Sequence, residues 1–310
     1  MKACLAICYC LLFFPQLLMA ETEDPSVDYP WLDSMHSDVS QSVHSTAEWF
    51  DSFFLTEEYT DDQKAAGEAR IMLGWEPRSS SLNEFVSRFR IRVKLPKAKH
   101  QTDLVFSDFD EEEQNTPIRI AKNNVVDDPH RFNLALRWTS KHDEKADLSH
   151  RIGIGRKLQP FVKSRYRRIF ELSASSNLNW ETSAYWYSRD GLGAHFMLQY
   201  ETNISTTDLF RFDNHFYYRD RFNDWIWHHS AYNFHQLDSK SALIYGLYVE
   251  GNSQPNYRVE EYLISARWRK NALREWLYFE VEPFLLWRRD EDFNTSIGLA
   301  MRVEGYFGGY

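Results

Sequence analysis

From residue 68 to the C-terminus, apolar and polar side chains alternate with a period of two. Arg88-Phe89-Arg90-Ile91-Arg92-Val93-Lys94-Leu95 does so without a fault, cation then apolar. Leu192, Ala194, Phe196, Leu198 and Tyr200 share one face of a segment whose other face carries His195, Gln199 and Glu201. The same spacing recurs at Leu243 to Val249, Tyr262 to Trp268, Leu277 to Trp287 and Ile297 to Phe307. A period of two is the mark of a strand with two unlike faces. Turn signals such as Arg189-Asp190-Gly191 and Leu237-Asp238-Ser239-Lys240 separate the segments.

The pattern predicts strands near 84–95, 102–109, 130–139, 148–158, 161–173, 178–188, 191–203, 207–219, 224–236, 241–250, 257–270, 274–288 and 294–307. That is an odd number, whereas single-chain bacterial barrels have an even count with both termini on the periplasmic side. Ala69, Ile71, Leu73 and Trp75 alternate with Arg70, Met72 and Gly74, which supplies a fourteenth strand at 68–76. Twelve strands is the alternative, with 68–76 and 102–109 left out of the wall.

Alternation alone does not say which face meets water. The polar face carries too many Arg, Glu, His and Gln for a packed interior, while the other is apolar, with Trp and Tyr near strand ends as in an interfacial girdle. After residue 20 the longest run without Asp, Glu, Lys or Arg is Trp225 to Leu237, 13 residues, too short for a membrane-spanning helix. Only a closed sheet satisfies all backbone groups within lipid when the crossing segments are strands. The expected fold is an all-β, up-and-down, antiparallel transmembrane barrel over 67–310.

The N-terminus fits that compartment. Lys2, the apolar run Ala3 to Phe14, and Leu18 and Ala20 before Glu21 have the form of a secretory signal peptide over 1–20. Cys4, Cys8 and Cys10 all fall inside it, so cleavage near Ala20 leaves no cysteine and no disulfide framework. Residues 21–66 hold 12 Asp+Glu against Lys64 alone, and read as an acidic periplasmic segment. Within it Ser45-Thr46-Ala47-Glu48 reads as a capping box opening a short amphipathic helix through Trp49, Phe50, Phe53 and Phe54. The segment is expected to be a flexible tether, or else a plug docked in the lumen or its periplasmic mouth. The formal net charge of the whole chain, -9, argues against a nucleic-acid partner.

The stretch Trp276-Leu277-Tyr278-Phe279-Glu280-Val281-Glu282-Pro283 through Trp287-Arg288-Arg289-Asp290-Glu291-Asp292, with Leu73-Gly74-Trp75-Glu76 and Gln159-Pro160-Phe161-Val162, resembles a family of uncharacterised proteobacterial outer-membrane barrels. The resemblance covers roughly 68–310 and implies a Gram-negative outer-membrane location without implying an activity. The last strand is similar to the C-terminal signal read by the barrel-assembly machinery, except that Gly308, Gly309 and Tyr310 follow Phe307.

For chemistry, the strongest constellation is His228-His229-Ser230. Outer-membrane lipid hydrolases hold a histidine and a serine two apart on one strand face, and His228 and Ser230 have that spacing, with Asp213 or His215 on the preceding strand to orient the ring. The residues after the serine are Ala231-Tyr232, which departs from the phospholipase motif. His215, His228, His229 and His235 have no metal-ligand spacing, and no motif for a cofactor occurs. The expected function is therefore a channel for small polar or anionic solutes. A lipid hydrolase and a non-conducting scaffold or assembly barrel are the alternatives. The cations Arg88, Arg90, Arg92, Lys94, Arg131, Arg137, Arg151, Lys157, Lys163, Arg165 and Arg167 are expected to line one wall of the lumen, and Glu261, Glu280, Glu282 and Glu304 an acidic wall beside or across from it. The expected partners are outer-membrane lipids, the assembly machinery and the solute.

Overall fold

The computed structural model describes residues 29–51, 66–95, 102–108, 133–143 and 145–308. One helix, α1 (Pro30–Asp51), precedes fourteen strands: β1 (Ala66–Trp75), β2 (Phe85–Leu95), β3 (Thr102–Ser107), β4 (Asn133–Asp143), β5 (Ala146–Gly155), β6 (Gln159–Ser173), β7 (Ser176–Tyr187), β8 (Gly191–Asn203), β9 (Asp208–Arg219), β10 (Asp224–Gln236), β11 (Ser241–Asn252), β12 (Arg258–Asn271), β13 (Leu277–Arg288) and β14 (Ser296–Gly308). Each strand pairs with its chain neighbours, and β1 closes on β14, giving a closed antiparallel barrel. Both segments that the twelve-strand alternative leaves out, β1 and β3, are in the wall.

Closure follows from register. Ala69 lies opposite both Phe307 and Ile91, and Arg70 opposite both Tyr306 and Arg90, so each strand's apolar set joins its neighbours' on one face all the way around. A slip of one residue would carry every arginine of β2 to the other face. The outer face is the apolar one: Leu73, Leu192 and Leu247 are 55–61% exposed, while Glu282, Glu304 and His195 on the inner face are nearly inaccessible. This is a water-soluble barrel turned inside out. No described helix is long and apolar enough to cross a membrane, a test that does not bear on strands.

Strand direction sets two rims. Ala66 and Gly308 stand at the terminal rim, whereas Trp75, Ser107, Asn133 and Gly155 stand at the far rim. Several far-rim connections are short 3-10 turns, closed by left-handed Asn223 and Asp292. The signal-peptide segment and Arg131 lie outside the described residues.

The helix differs from expectation. It starts at Pro30, whose fixed φ and missing N–H suit the first helical position, and Ser45 to Glu48 fall inside it rather than at its start. Phe53 and Phe54 lie outside the described residues. The described part of the helix lies outside the lumen. Its Leu32 and Val43 pack on outward-facing Ala69, Leu277 and Phe307 and on Trp276 of the turn before β13, so it lies against the outer wall at the terminal rim, over the β1–β14 closure. His36 stacks on Trp276 at 4.3 Å, and the Gly308 N–H donates to Ser40 Oγ at 3.1 Å. Gly67 makes the approach feasible, because a Cβ there would stand 2.6 Å from Val43.

Candidate pore lining

Inward positions on β2 to β6 are occupied by Arg88, Arg90, Arg92, Lys94, Arg137, Arg151, Lys163, Arg165 and Arg167; of these Arg137, Arg151 and Lys163 stand in one row across the sheet, whereas Arg92 faces Val105 and Arg165 faces Ser149 and Ser183. The inward-parity carboxylates described on these strands are Asp103, Asp147 and, near the terminal rim, Glu171, which meets Lys145 at 2.8 Å. Asp103 accepts from Arg92 at 2.9 Å and from Arg137 at 2.6 Å, and Lys94 meets Glu68 of β1 at 2.8 Å. Arg165 stands 4.0 Å from Glu181 of β7. This wall carries a large positive excess. Lys157 is not part of it: it sits exposed in the β5–β6 turn at the far rim, with φ 55°.

The opposite wall is not the acidic surface expected. Glu280, Glu282 and Glu304 do point inward, but so do Arg70, Arg267, Arg269 and Arg302, and the charges interlock. Arg302 reaches Glu76 at 2.7 Å, Glu282 at 2.6 Å and Glu280 at 3.3 Å. Arg269 reaches Glu280 at 2.5 Å and Glu304 at 2.7 Å, Arg267 reaches Glu282 at 3.1 Å, and Arg70 pairs with Glu304. Four arginines face four glutamates in a neutral network whose glutamates and Arg302 are buried, with Arg70, Arg267 and Arg269 half-buried. Reading Arg267-Trp268-Arg269 against Glu280-Val281-Glu282 as antiparallel partners would have found it, since Arg269 is directly opposite Glu280.

A third group spans β8 to β13. His195 Nε2 and His215 Nδ1 share a hydrogen bond of 3.1 Å, the His215 and His228 rings lie 4.4 Å apart, and His228 Nδ1 is 3.8 Å from Glu250, which accepts from the Tyr248 hydroxyl. Glu250 is opposite Glu261, which stands 3.7 Å from Arg288. His228 and Ser230 share the inner face, but the register places Asp213 across from Ser230 and His215 across from His228. The acid therefore stands beside the serine, while the imidazole turns to Glu250. A nucleophile relay needs serine, histidine and acid in line, with the histidine between the other two. His228 and Ser230 are also 3% and 5% exposed, which leaves no approach for an ester. Among the described residues no group of three or more His, Cys, Asp or Glu has a geometry able to hold a metal.

At the terminal rim there is a cavity of about 470 Å³ between Asn203, Asp208, Phe234, Lys240, Arg269 and Tyr278. Asp208 and Asp238 there are committed to their own turns, accepting from Ser205 at 2.7 Å and from the Lys240 N–H at 2.6 Å.

No protein-family model matches the sequence, and no curated protein matches it. Solved structures with some similarity to the chain include three outer-membrane proteins. The outer membrane channel DcaP of Acinetobacter baumannii is 6% identical with a TM-score of 0.49 over 82% of this chain and 100% of that one. A loop-deletion mutant of OmpT, an outer membrane protein of Vibrio cholerae, is 8% identical, with a TM-score of 0.49 over 79% and 99%. An anion-selective porin from Comamonas acidovorans is 6% identical, with a TM-score of 0.48 over 79% and 99%. These three structures are 6% to 8% identical to the chain.

Proposed function

We propose that this chain is an outer-membrane channel that passes small polar solutes and favours anions. The observation that carries the reading is the cationic wall of β2 to β6, in a barrel whose fourteen strands set a wide backbone circle. Fourteen strands spaced ~4.8 Å apart and tilted ~40° enclose a circle about 28 Å across between backbones. Two facing arginines, reaching about 7 Å each, span only about half of that width. The opposite wall is neutral, so the field across the lumen comes from one side and points an anion toward β2 to β6. The surrounding solvent would be outer-membrane lipid, with insertion by the barrel-assembly machinery.

Planar-bilayer recording of the purified protein under a salt gradient tests this. Steady conductance with a reversal potential on the chloride side is expected, falling to parity or crossing to the potassium side in an Arg90→Glu, Arg92→Glu variant. Silent bilayers from correctly inserted protein would sink the channel reading. Arg90→Lys, Arg92→Lys keeps the charge and should keep the selectivity.

A further inference from the structure

Among the described residues the outward-facing polar groups include His150 with Ser164, and one further pair that adjoins an apolar groove. His229 and Asn214 point outward from β10 and β9, directly opposite each other, and His229 Nδ1 lies 2.7 Å from Asn214 Oδ1. The Asn214 side-chain amide also donates to the Leu198 carbonyl at 3.3 Å, which fixes Oδ1 as the atom facing the histidine. Nδ1 of His229 therefore carries the proton, and Nε2 of the neutral ring is left as an acceptor. An ionisable side chain at this kind of surface is costly in hydrocarbon and marks a functional site by default.

A groove of about 440 Å³ begins at that histidine and runs over Ala231, Leu247 and Ile264, with Phe212, Tyr262 and Trp287 around it. The lining is almost wholly apolar on the outward face. At ~27 Å³ per methylene the volume holds roughly 16 of them at interior packing density, the content of one long acyl chain. Depth narrows the ligand. Trp225 and Trp227 share the outward face of β10, and His229 is two residues further from the far rim. At ~3.3 Å per residue on a tilted strand this is about 5 Å to the hydrocarbon side of the Trp227 position. A headgroup does not reach that level, whereas the first carbons of an acyl chain do.

We propose that the groove holds one acyl chain of a membrane lipid bearing a hydroxyl near the chain's carboxyl end, and that this hydroxyl donates to His229 Nε2. The site rests on the membrane-barrel reading above, and is independent of whether the lumen conducts.

The test is photolabelling of the inserted barrel in three vesicles. They contain phosphatidylglycerol with a 3-hydroxyhexadecanoyl chain, phosphatidylglycerol with a plain hexadecanoyl chain, and phosphatidylcholine with the plain chain, each with a diazirine near the chain end. Labelled peptides are mapped by mass spectrometry. Label on β11 and β12 around Leu247 and Ile264 should be about fivefold stronger from the hydroxylated chain, the ratio one net hydrogen bond supplies. His229→Phe should erase that ratio, Asn214→Leu should reduce it by freeing the ring's tautomer, and Ala231→Trp should lower groove label from every lipid. Equal labelling by hydroxylated and plain chains, or a ratio unchanged in His229→Phe, overturns the site. A gain from phosphatidylglycerol over phosphatidylcholine with no further gain from the chain hydroxyl assigns the contact to a headgroup and overturns it as well. Label at Ile152 and Leu192, outward-facing and remote, reports insertion; its absence from every vesicle would instead overturn the membrane reading itself.

Discussion

Arg302 shows what single side chains do in this barrel. The residue is 6% exposed and its guanidinium is bonded to Glu76, Glu280 and Glu282, so three carboxylates depend on one cation. Removing one partner of a buried charged network costs far more than the network contributes as a whole, because the remaining charges lose their compensation. Arg302→Ala should therefore destabilise the barrel by about 3–5 kcal/mol, read as a lower urea midpoint for unfolding from vesicles. Arg302→Met paired with Glu282→Gln should recover part of that loss. At Arg90 and Arg92, which belong to the cationic wall, the same kind of substitution should act on selectivity more than on stability.

At the scale of elements, α1 is held to the outer wall by a small set of contacts. Leu32, His36 and Val43 form its contact stripe, and Arg274 grips Asp33 through two bonds of 2.6 Å. Gly67→Leu would push a side chain into Val43, and should release the helix without opening the barrel. Limited proteolysis near residues 30–51, against an unchanged heat-modifiable band on gels, checks this. Asp33 adds a pH dependence: its hydrogen bond to Arg274 holds the carboxyl below the ordinary 3.8. A depressed carboxylate contributes its stabilisation above the unfolded value and loses it as pH falls through the folded one. Docking of α1 should thus be constant from neutral pH down to about 4 and weaken below that. Asp33→Asn should show the weakened state at every pH; a wild-type helix that protease reaches equally at pH 7 and pH 3 would contradict the assignment.

Over the whole molecule the decisive lengths are the lumen radius and the screening length. The Debye length is about 10 Å at 0.1 M salt and about 3 Å at 1 M, against a radius of about 14 Å between axis and backbone. The cationic wall's field therefore reaches the axis in dilute salt and hugs the wall in concentrated salt. Chloride preference should decline steeply between those two conditions, measured as a shrinking reversal potential under a fixed concentration ratio. A preference that does not change with salt would place selectivity at a narrow, dehydrated contact instead of in the field of the wall.

Much of the architecture was already present in the chain. A two-residue period fixes which side chains share a face, and parity with the closing of edges demands a fourteenth strand, so β1 and the inward course of Arg88, Arg90 and Arg92 were legible before any coordinates. Period says nothing about what stands opposite. Register decides that Arg269 meets Glu280 and that Asp213 faces Ser230, which turns an expected acidic wall into a neutral network and takes the acid away from His228. The position of α1 was equally hidden. An amphipathic stripe says that a helix will bury one face, but the choice between lumen and outer wall depends on a bare Gly67 and the clustering of Trp276 and Phe307 at the terminal rim. Local pattern is written in neighbouring residues, whereas partners brought together from 20 to 240 positions apart exist only once the barrel has closed.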